Sequence, residues 1–124
     1  MTYKGVMYSD VPNLASAFGY TNASWTLKCD LSANYVCRLI NHMDRRGYAV
    51  ATPRVRNAST VADLTLPLTS GYVQRAQGLL PKQGSKQPWK MNQNYARDLR
   101  AFRFGALEDG ALEFHPRRVA RASV

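Results

Sequence analysis

At 124 residues the chain fits one ordinary domain that can bury a core without metals or disulfides, and its 45% hydrophobic and 20% charged content excludes a wholly disordered or fibrous protein. No apolar run approaches the roughly 20 residues that span a bilayer, and residues 1–10 lack the apolar block of an export signal, so a cytoplasmic protein without a transmembrane segment is expected. The formal net charge of +9, from 17 Lys and Arg against 8 Asp and Glu, leaves nucleic acid, an anionic cofactor, an acidic partner and plain solubility all open as its purpose.

Residues 3–8 combine aromatic and other apolar side chains around Gly5. Ser9, Asp10, Pro12 and Asn13 then supply turn chemistry before residues 14–18, which predicts strand, turn, strand. Residues 19–24, GYTNAS, form a break rich in capping side chains, and Asn22 or Ser24 can accept a hydrogen bond from the first free N–H groups of a helix. From Trp25 onward Cys29, Ser32, Val36, Leu39, Ile40 and Met43 recur mostly at steps of three and four, with Leu27, Leu31 and Tyr35 widening the stripe. Arg45 and Arg46 complement the negative end of the helix dipole and Gly47 is placed to terminate it, so a helix over residues 24–46 is predicted. Cys29 and Cys37 fall on that helix about 12 Å apart, beyond disulfide reach, and are expected to be reduced, buried thiols. With His42 and His115 isolated from each other, no metal site is expected.

Residues 48–52 suit a short strand ended by Pro53, and residues 53–67 read mostly as loop. A short helix is predicted within 70–80, through Tyr72, Val73, Ala76, Leu79 and Leu80, with Pro81 as its stop. The polar run KQGSKQP, residues 82–88, has no apolar period. Asn92 or Asn94 then opens a helix to about residue 103, with Tyr95, Leu99 and Phe102 on one face, Arg97, Arg100 and Arg103 around the other, and Gly105 at its end. Asp109-Gly110 between short alternating runs predicts a hairpin over 106–114, followed by a frayed tail from His115. The positive charge belongs to this second half, where Arg75, Lys82, Lys86, Lys90, Arg97, Arg100 and Arg103 face only Asp98.

A turn that ends a strand and opens a helix gathers unpaired N–H groups and the positive dipole end, which suits an electron-rich ligand atom. Residues 20–26 add short hydroxyl and amide side chains, with Tyr20 and Trp25 as flat walls. On residue chemistry alone an ordinary capped helix ranks ahead of a ligand site, because capping residues open most helices. By the same weighing, Lys82, Gly84, Ser85 and Lys86 read as a solvated loop ahead of an anion site. Trp89 and Tyr95 read as core aromatics ahead of a single-stranded nucleic-acid platform. Glu108, Asp109 and Glu113 come with no cleft to work in, and no catalytic residue is assigned.

The run YKGVMYSDVPNLASAFGYTNASWTLKCDLSANYVCRLINHM, joined further on by LTSGYVQRAQGLLPKQGSKQPWKMNQNY, reverses that first ranking. Both resemble the closing part of class B flavoprotein monooxygenases of the Baeyer-Villiger type, and together they cover most of residues 3–95. The resemblance implies an α+β fold: a short β-hairpin followed by a long helix that ends a FAD-binding α/β domain, then two shorter helices and a C-terminal hairpin. Residues 1–47 would be the C-terminal end of that FAD-binding domain, 48–69 mostly loop, and 70–124 a basic C-terminal segment of the same family. It further implies that Asn22, Ser24, Trp25 and Thr26 lie near the pyrimidine side of the flavin, where backbone N–H groups stabilise negative charge on its reduced form. The complete family enzyme uses FAD and NADPH to insert one oxygen atom into ketones or onto soft heteroatoms.

The sequence departs from the family in lacking the glycine-rich GxGxxG turn for the pyrophosphate, the FxGxxxHxxxW-type fingerprint and a NADPH domain. The expectation is therefore a C-terminal portion in which Met1 starts inside the family's sequence, binding no FAD and turning over no substrate alone. Its expected partner is the missing N-terminal portion, and self-association through uncovered apolar surface is expected in its absence. The alternative, resting on charge, is a small basic interaction module for nucleic acid or an acidic protein partner, with no RRM or KH signature to support the nucleic-acid form.

Overall fold

The computed structural model describes residues 1–20, 23–56, 62–63, 71–76 and 78–118. The chain opens on a hairpin tighter than the sequence suggests. Strand β1 (Thr2–Tyr3) pairs antiparallel with β2 (Met7–Tyr8), Thr2 opposite Tyr8 and Tyr3 opposite Met7. Lys4 and Gly5 turn the chain between them in the left-handed region, at φ 52° and 66°. The strand expected over 14–18 reduces to a single bridge between Ala15 and Met7. Leu14, 48% exposed, lies on the surface there, so little burial favours extending the pairing.

Helix α1 (Trp25–Arg46) follows the expected span, and Gly47 ends it at φ 70°, a left-handed conformation in which its N–H reaches the carbonyls of Asp44 and Met43. The buried face, Lys28, Leu31, Ser32, Tyr35 and Leu39, is rotated from the predicted stripe. Leu27 and Ile40 remain exposed. The thiols are free, but Cys29 is half-buried and Cys37 exposed, against the expectation that both are buried. The cause is one-sided packing: α1 meets its neighbours along the line through Leu31 and Tyr35, leaving the flank that carries Cys37 uncovered.

Strand β3 (Tyr48–Pro53) includes the proline expected to end it, and it pairs antiparallel with a distant partner, β6 (Leu112–Pro116), Ala51 opposite Phe114. The hairpin predicted over 106–114 is therefore not formed locally. Asp109-Gly110 is a corner instead: the Asp109 carboxylate accepts the N–H groups of Ala111 and Leu112 at 3.0 and 3.1 Å, and Gly110 sits at φ 80°. The tail stays attached beyond His115, because the Arg117 N–H donates to the Gly47 carbonyl at 2.9 Å and its guanidinium pairs with Asp44 at 2.9 Å.

Two short strands, β4 (Ala62–Asp63) and β5 (Gln83–Gly84), pair antiparallel, so part of each predicted loop is strand. Helix α2 (Gly71–Ala76) is shorter than its sequence signal. Helix α3 (Tyr95–Phe104) starts as expected, with the Asn94 side chain accepting the Arg97 N–H at 3.1 Å, and closes at Gly105 in an extended rather than left-handed conformation. Tyr3, Met7, Leu31, Tyr35, Trp89, Phe102 and Leu112 belong to one buried cluster, each large side chain contributing about 1.5–3 kcal/mol by leaving water. The Tyr35 and Phe102 rings meet at 5.4 Å and clamp α1 to α3. The architecture is α+β, and among the described residues no helix is long and apolar enough to cross a membrane.

Candidate functional site

Among the described residues, no side chain caps the first turn of helix α1. Ser24 occupies the capping position, yet its side chain makes no capping bond; its Oγ lies 2.9 Å from the Thr26 hydroxyl instead, and no acid stands in the first turn. Ser24, Trp25 and Thr26 are all exposed. The first-turn N–H groups and positive dipole end therefore lie beside two outward hydroxyls and an aromatic ring, an arrangement able to stabilise negative charge on a flat ligand.

The ring of Trp25, 49% exposed, packs on Phe18 with centroids 4.9 Å apart and planes tilted by 58°. Gly19 makes this possible: a Cβ there would stand 2.2 Å from the Trp25 ring. Gly19→Ala is expected to displace the indole, costing about 1–3 kcal/mol through overpacking. A lowered melting temperature together with a shifted tryptophan emission checks this, since Trp89 is buried in the core and Trp25 is the half-exposed indole. Unaltered emission would contradict the close approach.

Beneath the helix start lies a buried polar cluster that the sequence did not announce. The Tyr20 hydroxyl donates to Asp98 Oδ2 at 2.7 Å, and the Lys28 ammonium reaches the same oxygen at 2.8 Å. Lys28 and Asp98 side chains are each only 4% exposed, and the ammonium also sits 4.3 Å from the Phe102 ring centroid. Burial pushes the Lys28 ammonium below the usual lysine value, opposed by its hydrogen bond to Asp98 and that carboxylate's charge. Burial likewise raises the Tyr20 phenol, with Asp98 adding to the effect. The cluster ties the segment leading into the helix start to α3. Two features of the sequence accompany it without pairing its members: Lys28 shares the helical phase of Leu31, Ser32 and Tyr35, and Asp98 is the lone acid of its basic run.

A second cluster braces the opening hairpin. The Tyr3 hydroxyl donates to Asp109 at 2.6 Å, and the Lys4 ammonium lies 3.6 Å from the same carboxylate and 5.2 Å from the Tyr35 ring centroid. Of the predicted site residues, Ser24, Trp25 and Thr26 come together at the helix start, while Asn22 lies outside the described residues. Trp89 is a core aromatic, as its sequence context predicts; Tyr95 is 39% exposed and is not. Lys82 and Lys86 are exposed in the manner of a solvated loop.

No family model matches the chain, and no solved structure matches it. Three groups of curated relatives do. The chain is 49% identical over 121 residues to a probable FAD-binding monooxygenase, AlmA, of an Acinetobacter species, covering 94% of this chain and 24% of that protein. It is 47% identical over 117 residues to the FAD-containing monooxygenase EthA of Mycobacterium tuberculosis, again covering 94% of this chain and 24% of the relative. The putative FAD-containing monooxygenase MymA of the same species matches at 47% over 115 residues, with 92% and 23% covered. The chain is therefore similar in sequence to part of these FAD-containing monooxygenases and spans about a quarter of the length of the relatives it matches.

Proposed function

We propose that this chain forms the C-terminal part of a cytoplasmic, FAD- and NADPH-dependent monooxygenase that inserts one oxygen atom into ketones or onto soft heteroatoms. Residues 1–47 would close its FAD-binding domain, and residues 70–124 would be the basic C-terminal segment. Ser24, Trp25 and Thr26, together with Asn22, would border the flavin at its pyrimidine edge.

The observation that carries the proposal is the open start of α1, whose first turn has no side-chain cap from Ser24 and no acid, beside the exposed Ser24–Thr26 hydroxyl pair. These residues fit the flavin. The group has an edge of hydrogen-bond acceptors that gains negative charge on reduction, and it would meet N–H groups and hydroxyls rather than carboxylates. Bound FAD supplies the redox chemistry, while this chain's contribution is to position that edge and favour its charge. The remaining three quarters of the relatives' length is the natural partner, and in its absence the exposed side chains Leu14, Ile40 and Leu27 favour self-association.

The test is a chimera in which this chain replaces the matching quarter of the Acinetobacter protein. Thr26→Pro removes one N–H of the first turn, where a helix can accommodate proline, together with the Thr26 hydroxyl. It is expected to lower the flavin midpoint potential by tens of millivolts, about 30 mV for each 1.4 kcal/mol in a two-electron couple. An unchanged potential in a folded chimera that retains FAD would remove Thr26 from the flavin edge.

A further inference from the structure

The basic half of the chain builds a surface that the flavin proposal does not use. Two open grooves, of about 570 and 420 Å³, meet at Phe104 and Gly105. The first runs along the end of α1 past Arg45 and Arg46 to Glu108; the second follows α3 past Arg97 and Arg100. Phe104 stands between them with 81% of its surface exposed, at the end of a helix whose neighbouring Phe102 is fully buried. The ridge is held in place from below, since Arg38 donates to the carbonyls of Phe102 and Gly105, the latter at 2.8 Å.

Arg45, Arg46, Arg97 and Arg100 have no ion-pair partner among the described residues. The one carboxylate in the grooves, Glu108, is engaged by His42 at 2.9 Å and by the Tyr48 hydroxyl at 3.3 Å. Four guanidiniums without a salt-bridge partner among the described residues, Arg46 among them close enough for its charge to act on Glu108, therefore line the grooves that meet at one exposed aromatic ring.

We propose that this surface docks an acidic polypeptide partner, with carboxylates on the four arginines and an apolar side chain on Phe104. Guanidinium forks match carboxylates in paired hydrogen bonds, and Arg and Phe are the residue types enriched at protein interfaces. A single-stranded nucleic acid fits less well, because such surfaces offer successive stacking rings and here Trp89 is spent in the core. A second copy of the chain is a poor complement, with 8 acids against 17 bases.

Fluorescence polarisation with a labelled glutamate-rich dodecapeptide carrying one central leucine tests the proposal on the intact chain. Arg45→Glu with Arg100→Glu is expected to weaken binding about tenfold or more, and Phe104→Ser about threefold, both being exposed changes that circular dichroism should show to leave the fold intact. Reversing the remote Lys82 and Lys86 serves as the control and should change binding little. Three results would overturn the proposal: no peptide binding at low salt, tighter binding of oligothymidine than of the peptide, or an equal loss in the Lys82 and Lys86 control. Self-association that blocks the peptide and is itself abolished by Phe104→Ser would assign the surface to a second copy and would overturn it too.

Discussion

Replacing Asp98 with alanine is expected to destabilise the chain by about 3–5 kcal/mol, the range for removing one partner of a buried ion pair. That is a large share of the roughly 5–15 kcal/mol by which a domain of ordinary size is stable. Two hydrogen bonds end on this carboxylate. The Lys28 ammonium would lose its counter-charge while still 4% exposed, and the Tyr20 hydroxyl would lose its acceptor in the same stroke. The Phe102 ring beside Lys28 is no substitute, since that contact is already made with Asp98 in place and carries no negative charge to replace the carboxylate's.

The same logic separates charge from packing. Lys28→Met with Asp98→Asn removes both charges, keeps an acceptor for Tyr20, and leaves a flexible apolar chain against Phe102. Replacing a buried ion pair by groups of similar volume is often close to neutral, so the double variant should recover most of what Asp98→Ala loses. Urea unfolding of the single and double variants checks both expectations. A loss below about 1 kcal/mol in Asp98→Ala would mean that the pair is solvated, as surface pairs are.

The second large effect is alkaline. Burial is the first cause that raises the phenols of Tyr3, Tyr20 and Tyr35 above their ordinary value of 10.0, Tyr35 to about 12. A raised folded-state pKa means that the unfolded chain gives up its proton first. The stability these groups contribute is therefore intact below pH 10 and is lost as pH climbs toward and past 12. Each tyrosine that stays protonated adds a slope of roughly 1.4 kcal/mol per pH unit, about 4 for the three together. Lys28 acts in the opposite sense: its lowered value lets stability rise with pH until the ordinary 10.5 and adds no slope above it. Urea midpoints should accordingly fall steeply above pH 10.5, and tyrosinate absorbance should show a group of tyrosines ionising only as the chain unfolds. Tyr35→Phe should shed one tyrosine's share of that slope. A flat midpoint over this interval would contradict the burial of the three phenols.

Much of the fold is legible because local physics decides it. Helix α1 carries a sustained apolar period, basic residues in its last turn and a glycine free to adopt the left-handed terminus, and its observed bounds follow. Helix α3 likewise follows from Asn94 and the spacing of Leu99 and Phe102. Long-range pairing is less legible. Asp109-Gly110 does turn the chain, but whether the next strand folds back locally or crosses to β3 depends on partners far away in sequence, and Leu112 finds Pro53. The predicted stripe of α1 was off by part of a turn because Lys28 occupies a core position, which is favourable only where Asp98 waits on another helix.

The candidate site divides in the same way. Ser24, Trp25 and Thr26 were readable as the start of a helix, and their shared exposure follows from that placement. The requirement for Gly19 was not readable, since it arises from where the Trp25 ring comes to rest. Nor was the cluster of Tyr20, Lys28 and Asp98, which joins three separate stretches of the chain.

The central claim, that this chain supplies one border of a flavin site, is tested most directly by the FAD content of the purified chimera with the Acinetobacter relative. One tightly held FAD per chain, visible in the absorbance of the gel-filtered protein, is the predicted result. A folded chimera that emerges colourless, beside an unmodified relative that keeps its FAD, would contradict it.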